Sequence, residues 1–256
     1  MNRDSPPRQS HLNPHPVLDR YYSNEAQRPA FVQGLFDTTA GHYDHVNGLM
    51  SLGSGRWYRR RTLAQAGLRS GMTVLDVATG TGLVAREALA LGSEVVGLDL
   101  SMGMLHQARH QLTLPLVQGT AEQLPFAGDQ FDFLTMGYAL RHARDLNELF
   151  AEFYRVLAAP GTVLILEITR PTNPWGRRLL GLYLDRWVPL VGRWTTGQRH
   201  AATLMHYYWD TIDHCVAPGV ITAALARAGF EGVQCQVQLG IFRAYQGLKG
   251  PGMPGV

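Results

Sequence analysis

The sequence predicts a doubly wound α/β fold around a mostly parallel sheet of seven strands. Two observations carry that prediction. From 73 to 168, short apolar β-rich runs alternate with helical stretches, the order that builds a parallel sheet with helices on both faces. The last two β-rich runs, 233–239 and 241–245, are joined tightly around Gly240, so they pair antiparallel.

The first strand is Thr73–Val77, a short run of the buried type, followed by a glycine turn and a helix over 83–91. Glu94–Asp99 is the second strand. Ser101 suits the N-cap of the next helix, which runs to about 111, and Leu116–Gln118 is a short third strand. The fourth strand covers 131–136 and leads to a helix over about 145–157. Pro160-Gly161 then turns the chain into the fifth strand, 162–168. A helix over 218–228, ended by Gly229, precedes the closing pair.

Ahead of the sheet, 31–68 has helical spacing. Phe31, Leu35 and Phe36 share one face, as do Val46, Leu49 and Met50, and Gly53 and Gly55 separate two helices. Residues 1–28 hold four prolines and little periodic apolar pattern, which reads as a disordered arm and leaves 29–256 as the folded domain. Residues 171–215 interrupt the alternation with Trp175, Trp187, Trp194 and Trp209, and read as a helical lid inserted over the C-terminal edge of the sheet.

The composition excludes several classes. The 256 residues are 45% hydrophobic and 17% charged, enough for one large core. A net charge of +3, with Lys249 the sole lysine, lacks the concentrated basic face of a nucleic-acid binder. Cys215 and Cys235 form neither a disulfide framework nor a metal spacing, and the histidines offer no ligand set, so no metal is expected. Neither a secretory signal nor an apolar span long enough for a membrane is visible, which makes a cytoplasmic protein the expectation.

The central motif is Val74-Leu75-Asp76-Val77-Ala78-Thr79-Gly80-Thr81-Gly82. A buried strand feeds a glycine turn and then a helix, whose free N–H groups and partial positive charge suit an anionic group. Asp99, ending the next strand, can accept hydrogen bonds from both hydroxyls of a ribose. Gly80-Thr81-Gly82-Leu83-Val84-Ala85 also fits the dinucleotide pattern, so the glycines by themselves leave NAD and S-adenosylmethionine (SAM) both open. Three features favour SAM. Asp76 ends its strand where it can meet the cofactor's amino group. Ala121-Glu122-Gln123-Leu124-Pro125-Phe126 follows the third strand and suits an adenine edge. The closing strand pair is foreign to a dinucleotide half-domain.

From about 36 to 247 the chain resembles the ubiquinone/menaquinone biosynthesis C-methyltransferases, within the class I SAM methyltransferases, whose fold is Rossmann-like. The resemblance lies in Phe36-Asp37, Tyr43-Asp44-His45-Val46-Asn47, Gln118-Gly119-Thr120-Ala121-Glu122-Gln123, Gly137-Tyr138-Ala139-Leu140-Arg141-His142, Tyr154-Arg155-Val156-Leu157 and Trp187-Val188-Pro189-Leu190-Val191-Gly192. It implies SAM as cofactor, held by the turn Ala78, Thr79, Gly80, Thr81 and Gly82, by Asp99, by Thr120 and Ala121, and near Gly137; Asp76, Leu100, Met104 and Glu122 are further candidates beside them. Tyr43 and Arg141 fall on the substrate side. His142 stands where the family usually has asparagine, and the Tyr207–Cys215 stretch follows the family only loosely; both departures concern the acceptor, not the methyl donor.

Methyl transfer from a sulfonium is an in-line displacement, in which positioning and water exclusion supply ~7–11 kcal/mol. A carbon nucleophile on a hydroquinone also needs its phenol deprotonated, worth roughly 10²–10⁴-fold from a general base. Tyr43, Arg141 and His142 are the expected activation group. Arg141 stays protonated and would stabilise a phenolate, and His142 titrates in the useful range as the base, with a simple helix-capping role as its open alternative. The lid's tryptophans, with Leu179, Leu180, Leu182 and Tyr183, could line an entry for a prenyl tail. Arg177, Arg178, Arg186 and Arg193 suit a peripheral contact with an anionic lipid surface. The expected partner is a small or lipid-tailed aromatic acceptor, with a homodimer also open. O- or N-methylation of a secondary metabolite or phospholipid headgroup, an NAD-dependent oxidoreductase and a non-catalytic SAM-binding module are the competing readings.

Overall fold

The computed structural model describes residues 11–51, 54–187 and 200–251. Helices α1 (Arg28–Ser51) and α2 (Gly55–Gln65) lead into β1 (Thr73–Val77), α3 (Leu83–Ala90), β2 (Glu94–Asp99), α4 (Met102–Gln111), β3 (Leu116–Gln118) and β4 (Phe131–Gly137). Next come α5 (Leu146–Val156), β5 (Leu157–Ile168), α6 (Pro174–Leu182) with a π-helical turn (Tyr183–Trp187), α7 (His200–His214), α8 (Pro218–Arg227), β6 (Glu231–Gln238) and β7 (Phe242–Lys249). The seven strands form one sheet in the order β3-β2-β1-β4-β5-β7-β6. All neighbours are parallel except β7, which runs antiparallel to β5 and β6.

The sheet is covered on both faces, so its central strands are continuous apolar runs. Side chains alternate by the period of two: Leu75 and Leu134 meet Phe150, Phe153 and Leu225 on one face, while Val74 and Phe133 meet Leu63, Val84 and Ala88 on the other. Ser101 caps α4 by accepting from Met104 N, and Asp145 caps α5 by accepting from Asn147 N. Gly229 takes φ +104 after α8, a backbone that favours glycine.

Three expectations change. The fifth strand begins at Leu157, directly after α5, because Leu157 already pairs with Phe131 and a register shift between Phe131 and Phe133 absorbs the Ala158–Gly161 segment. The closing hairpin is longer than read, since β7 pairs with β5 as far as Lys249. Residues 11–28, read as part of a disordered arm, are packed. Leu18 and Tyr22 are buried, Leu146 N donates to Leu12 O and Val216 N to Pro14 O, and the buried Arg28 guanidinium donates to Ala143 O and His15 O. Anchoring by single residues, rather than by a periodic face, leaves no pattern in the sequence.

A third cluster joins this N-terminal segment, α1 and α7: Val32, Leu35 and Phe36 pack with Tyr207, Tyr208 and Leu204 beside Ile168 at the end of β5. Helices α6 and α7 occupy the interval read as an insertion; residues 188–199, with Arg193 and Trp194, lie outside the described residues. Among the described residues no helix is long and apolar enough to cross a membrane.

Candidate active site

The turn after β1 is built on left-handed backbone. Ala78, Gly80 and Gly82 have φ of +54, +58 and +86. The two glycines serve different ends. A Cβ on Gly82 would lie 2.4 Å from Leu112 Cδ1, so Gly82 lets α3 pack closely on α4, whereas a Cβ on Gly80 would meet nothing within 4 Å and would project into open space.

Asp76 sits beneath the turn. Its carboxylate accepts from Thr135 Oγ1 (2.6 Å), Thr79 Oγ1 (2.7 Å) and Ala85 N (3.1 Å). The last bond satisfies a free N–H in the first turn of α3, which Gly82 leaves without a side-chain cap. Burial pushes the Asp76 pKa up to about 6 against the pull of these donors. Asp76 does not line the cavity beside the turn; three protein donors share its two oxygens, and it supports the turn from beneath.

Asp99, in contrast, lines the cavity. Oδ2 accepts from Gly80 N and Oδ1 from Ser101 N, both at 2.8 Å, which leaves each oxygen a free lone pair. Burial raises its pKa to about 6. Helix α1 braces this corner with residues two turns apart. Asp37 accepts from Ser101 Oγ (2.6 Å) and Gly103 N (2.8 Å), and Asp44 accepts from Thr81 Oγ1.

Gly80 and Asp99 form one wall of a cavity of about 600 Å³, within the range of small-molecule sites. Ala78, Leu100 and Met104 continue that wall, and Thr120, Ala121 and Glu122 form the next. Glu122 also accepts from Arg144 N at 2.6 Å. Gly137 lies opposite; a Cβ there would lie 2.6 Å from Val84 Cγ2. Gln123, Arg144 and Glu148 add polar lining, and Val32, Phe36, Tyr43, Met136, Tyr208 and His142 make an apolar and aromatic part of the wall. Of the residues expected at the cofactor, Asp76, Thr79, Thr81 and Gly82 do not reach this cavity. They shape the turn that does.

His142 lies on the short 3-10 turn Leu140–His142 after β4. Its ring stacks on Tyr207 (centroids 5.4 Å apart, planes at 19°) and Tyr208 (6.0 Å, 26°), with Phe36 edge-on at 5.4 Å. Both ring nitrogens are buried without a hydrogen-bond partner among the described residues. Burial first, and the positive charges of Arg141 and Arg28 after it, hold its pKa well below the usual histidine value. The expectation that His142 titrates in the useful range is therefore corrected: the ring is neutral at pH 7 and its charged form is disfavoured. The helix-cap alternative fails, since Asp145 caps α5. Tyr43 accepts from Tyr208 Oη at 3.2 Å, and burial raises its pKa.

Arg141 does not line the cavity. It is buried behind Tyr208, with its guanidinium 4.7 Å from that ring's centroid, and donates to Glu167 Oε2 (2.8 Å), Tyr138 O (2.7 Å) and Thr211 Oγ1 (3.2 Å). The expectation that it touches the acceptor gives way to a fixed positive charge one ring away. Glu167, its partner, was missed by sequence reasoning, as were Phe36 and Tyr208 as cavity residues. Glu167 had a signal: like Asp76 and Asp99, it is an acid near the C-terminal end of a parallel strand.

Residues 22–249 match the model of the ubiE/COQ5 methyltransferase family. The chain belongs to that family. It is 36% identical to a demethylmenaquinone methyltransferase of Lactiplantibacillus plantarum over 91% of this chain and 99% of the relative. It is 32% identical to the ubiquinone/menaquinone biosynthesis C-methyltransferase UbiE of Shewanella halifaxensis over 90% and 95% respectively. In fold it is similar to a SAM-dependent methyltransferase of Thermotoga maritima (TM-score 0.61, 19% identity, 85% of this chain and 99% of that one). This ubiE/COQ5 member is thus an enzyme, a class I methyltransferase that uses SAM, and the NAD reading falls away. The cavity fits the cofactor on its own terms: the space above Gly80 is one a methyl group would fill, and Asp99 keeps free lone pairs toward it.

Proposed function

We propose that this enzyme C-methylates a quinol-like aromatic ring carrying a lipid tail. The observation that carries the reading is His142: a neutral imidazole with both nitrogens unpartnered among the described residues, held between aromatic planes in the wall of the cavity that Gly80 and Asp99 also line. SAM supplies an activated methyl group; the chain's own residues have to orient the acceptor, exclude water and take up a proton. Asp99 would hold the ribose and Glu122 the adenine side, with Thr120, Ala121 and Gly137 along the cofactor.

The aromatic wall of Phe36, Tyr43 and Tyr208 suits a planar ring. His142, whose charged form burial disfavours, takes the phenolic proton only as the phenolate left beside it pairs with the imidazolium, and Tyr43 orients the hydroxyl. Arg141 acts as a positioning residue: its field, which helps depress the His142 pKa, also favours a phenolate beside it. The demethylmenaquinone and UbiE relatives support a quinone-type acceptor over O- or N-methylation. Helix α7 acts as a lid over this site through Tyr208, with α6 packed on its outer side, and the enzyme meets the membrane in which a lipid-tailed acceptor dissolves.

Purified enzyme, methyl-labelled SAM and a set of quinols with short and long prenyl tails test the reading. The label is expected on a ring carbon, and label on oxygen or nitrogen overturns it. His142→Asn is expected to lower kcat roughly 10²-fold with SAM affinity retained. An unchanged kcat and pH–rate profile removes the base role.

A further inference from the structure

On the face of α7 away from the catalytic cavity the chain builds a second cleft, of about 880 Å³. Adjacent residues divide the two: Tyr208 lines the catalytic cavity, and Trp209 lines the cleft. Five arginines line it, Arg170, Arg177, Arg178, Arg186 and Arg243, and no aspartate or glutamate does among the described residues. Asp213 holds Arg177 through paired bonds of 2.7 and 2.6 Å, while Arg178 and Arg186 have no acidic partner among the described residues.

Beside this charge lies exposed apolar surface. On α6, Trp175, Leu179 and Leu182 follow at i, i+4 and i+7, one stripe of the helix; Trp175 is 76% and Leu179 66% exposed. The opposite side of α6 packs on the body through Leu180, and through Gly181 against Trp209. A groove between α6 and the β6–β7 hairpin is lined by both Leu179 and Leu239. Leu239 is 88% exposed at the tip of a turn in which Ile241 N donates to Gln238 O. Its φ is +52 and that of Gly240 +71, a two-residue turn of the kind that favours Asn-Gly. A leucine in that conformation costs stability and makes no burial there in return.

We propose that α6 and the hairpin tip form a docking face for an anionic phospholipid bilayer. Trp175, Leu179 and Leu239 enter the acyl boundary, and Arg178 and Arg186 meet lipid phosphates. An interfacial tryptophan, an amphipathic helix and arginines with no acidic partner among the described residues are what such a surface requires. The proposal names where the membrane contact of the proposed function is made and rests on that reading only for its purpose; vesicle binding is measured with neither acceptor nor SAM present.

The full chain is co-sedimented with vesicles of phosphatidylcholine, and with vesicles of two parts phosphatidylcholine to one part phosphatidylglycerol, at low and high salt. Binding is expected only to the anionic vesicles and is expected to weaken with salt. Arg178→Gln with Arg186→Gln should loosen it roughly 25-fold, about fivefold per arginine. Trp175→Ala and Leu239→Asn should each weaken it at least tenfold. Leu239→Asn suits the turn and is expected to keep or raise Tm, which separates lost binding from lost folding, and S-adenosylhomocysteine affinity should be unchanged in every variant. Equal binding to both vesicle types, or variants that bind as the parent does, overturns the proposal. So does ultracentrifugation in which the parent self-associates, Trp175→Ala does not, and neither binds vesicles. Loss of quinol methylation in detergent with vesicle binding intact would count against the proposed acceptor and not against this face.

Discussion

Replacing Asp99 by asparagine separates its two duties, holding the turn and receiving the ribose. An asparagine carbonyl can accept from Gly80 N or Ser101 N but not both, and its NH₂ then faces the other donor at a site now 2.8 Å across. One charge-assisted bond is lost, about 1.5–3 kcal/mol. Against this, burial raises the Asp99 pKa from 3.8 to about 6, so the folded chain binds this proton more tightly than the unfolded one. Such a group contributes stability that is fully present below about pH 4 and is lost as pH rises through about 6, a cost on the order of 3 kcal/mol at neutral pH. Asparagine removes that cost. That cost is already net of the Gly80 and Ser101 bonds, so Tm near neutrality should hold or rise by a few degrees. SAM binding has no such offset: losing the charged acceptor for two hydroxyls costs ~3–4 kcal/mol, roughly 10²–10³-fold in Kd. Calorimetric titration with SAM and its demethylated product measures both variants across pH. The parent should weaken about tenfold per pH unit below about 6 as the carboxylate protonates, and Asp99→Asn should be flat. A variant Kd within about threefold of the parent at neutral pH would refute the assignment of Asp99 to the cofactor.

Gly80→Ala should cost only about 1 kcal/mol in denaturant titration, the strain of a left-handed alanine, because its Cβ meets nothing. It should still weaken SAM binding more than tenfold by calorimetry, since the methyl group stands in the cavity. Gly82→Ala should reverse the emphasis, with stability falling by about 2–4 kcal/mol through the Leu112 clash and its φ of +86. Arg141→Met should cost about 3–5 kcal/mol by leaving Glu167 buried and unpaired. Adding Glu167→Met should recover most of that Tm loss without restoring kcat, which distinguishes the charge behind Tyr208 from simple packing.

The strands were legible because each is a short apolar run bounded by a turn signal; Thr73–Val77, Glu94–Asp99 and Leu116–Gln118 stand where the pattern puts them. The N-terminal segment was not. Pro14 and Pro16 give it the composition of a loop, and what holds it, backbone bonds to Leu146 and Val216 and the buried Arg28 guanidinium, depends on elements more than a hundred residues away. The α1 signature was visible as residues but not as geometry. Phe36-Asp37 and Tyr43-Asp44 recur at a spacing of seven, two helical turns. That puts both aromatics on the cavity and one acid on each of the two segments beside it, Asp37 at Ser101, the cap of α4, and Asp44 at Thr81 of the glycine turn.

Asp76 and Asp99 mark where residue type stops being informative. Each ends or nearly ends a neighbouring parallel strand, each is buried, and burial brings each to a pKa of about 6. Register separates them. Asp76 pairs in the sheet with Gly97 and Thr135, so its carboxylate has strand neighbours on both sides and the start of α3 above it; three donors take up its oxygens. Asp99, the last residue of β2, pairs only with Gln118 and meets two backbone N–H groups, which leaves half of its accepting capacity facing the cavity. An unpaired buried carboxylate is costly, so a ligand that brings two hydroxyls to Asp99 gains from a site already desolvated. At Asp76 the same hydroxyls would have to displace bonds that hold the turn. The cofactor site is therefore fixed less by the glycines, which set the backbone, than by which of two similar acids the sheet leaves unsatisfied.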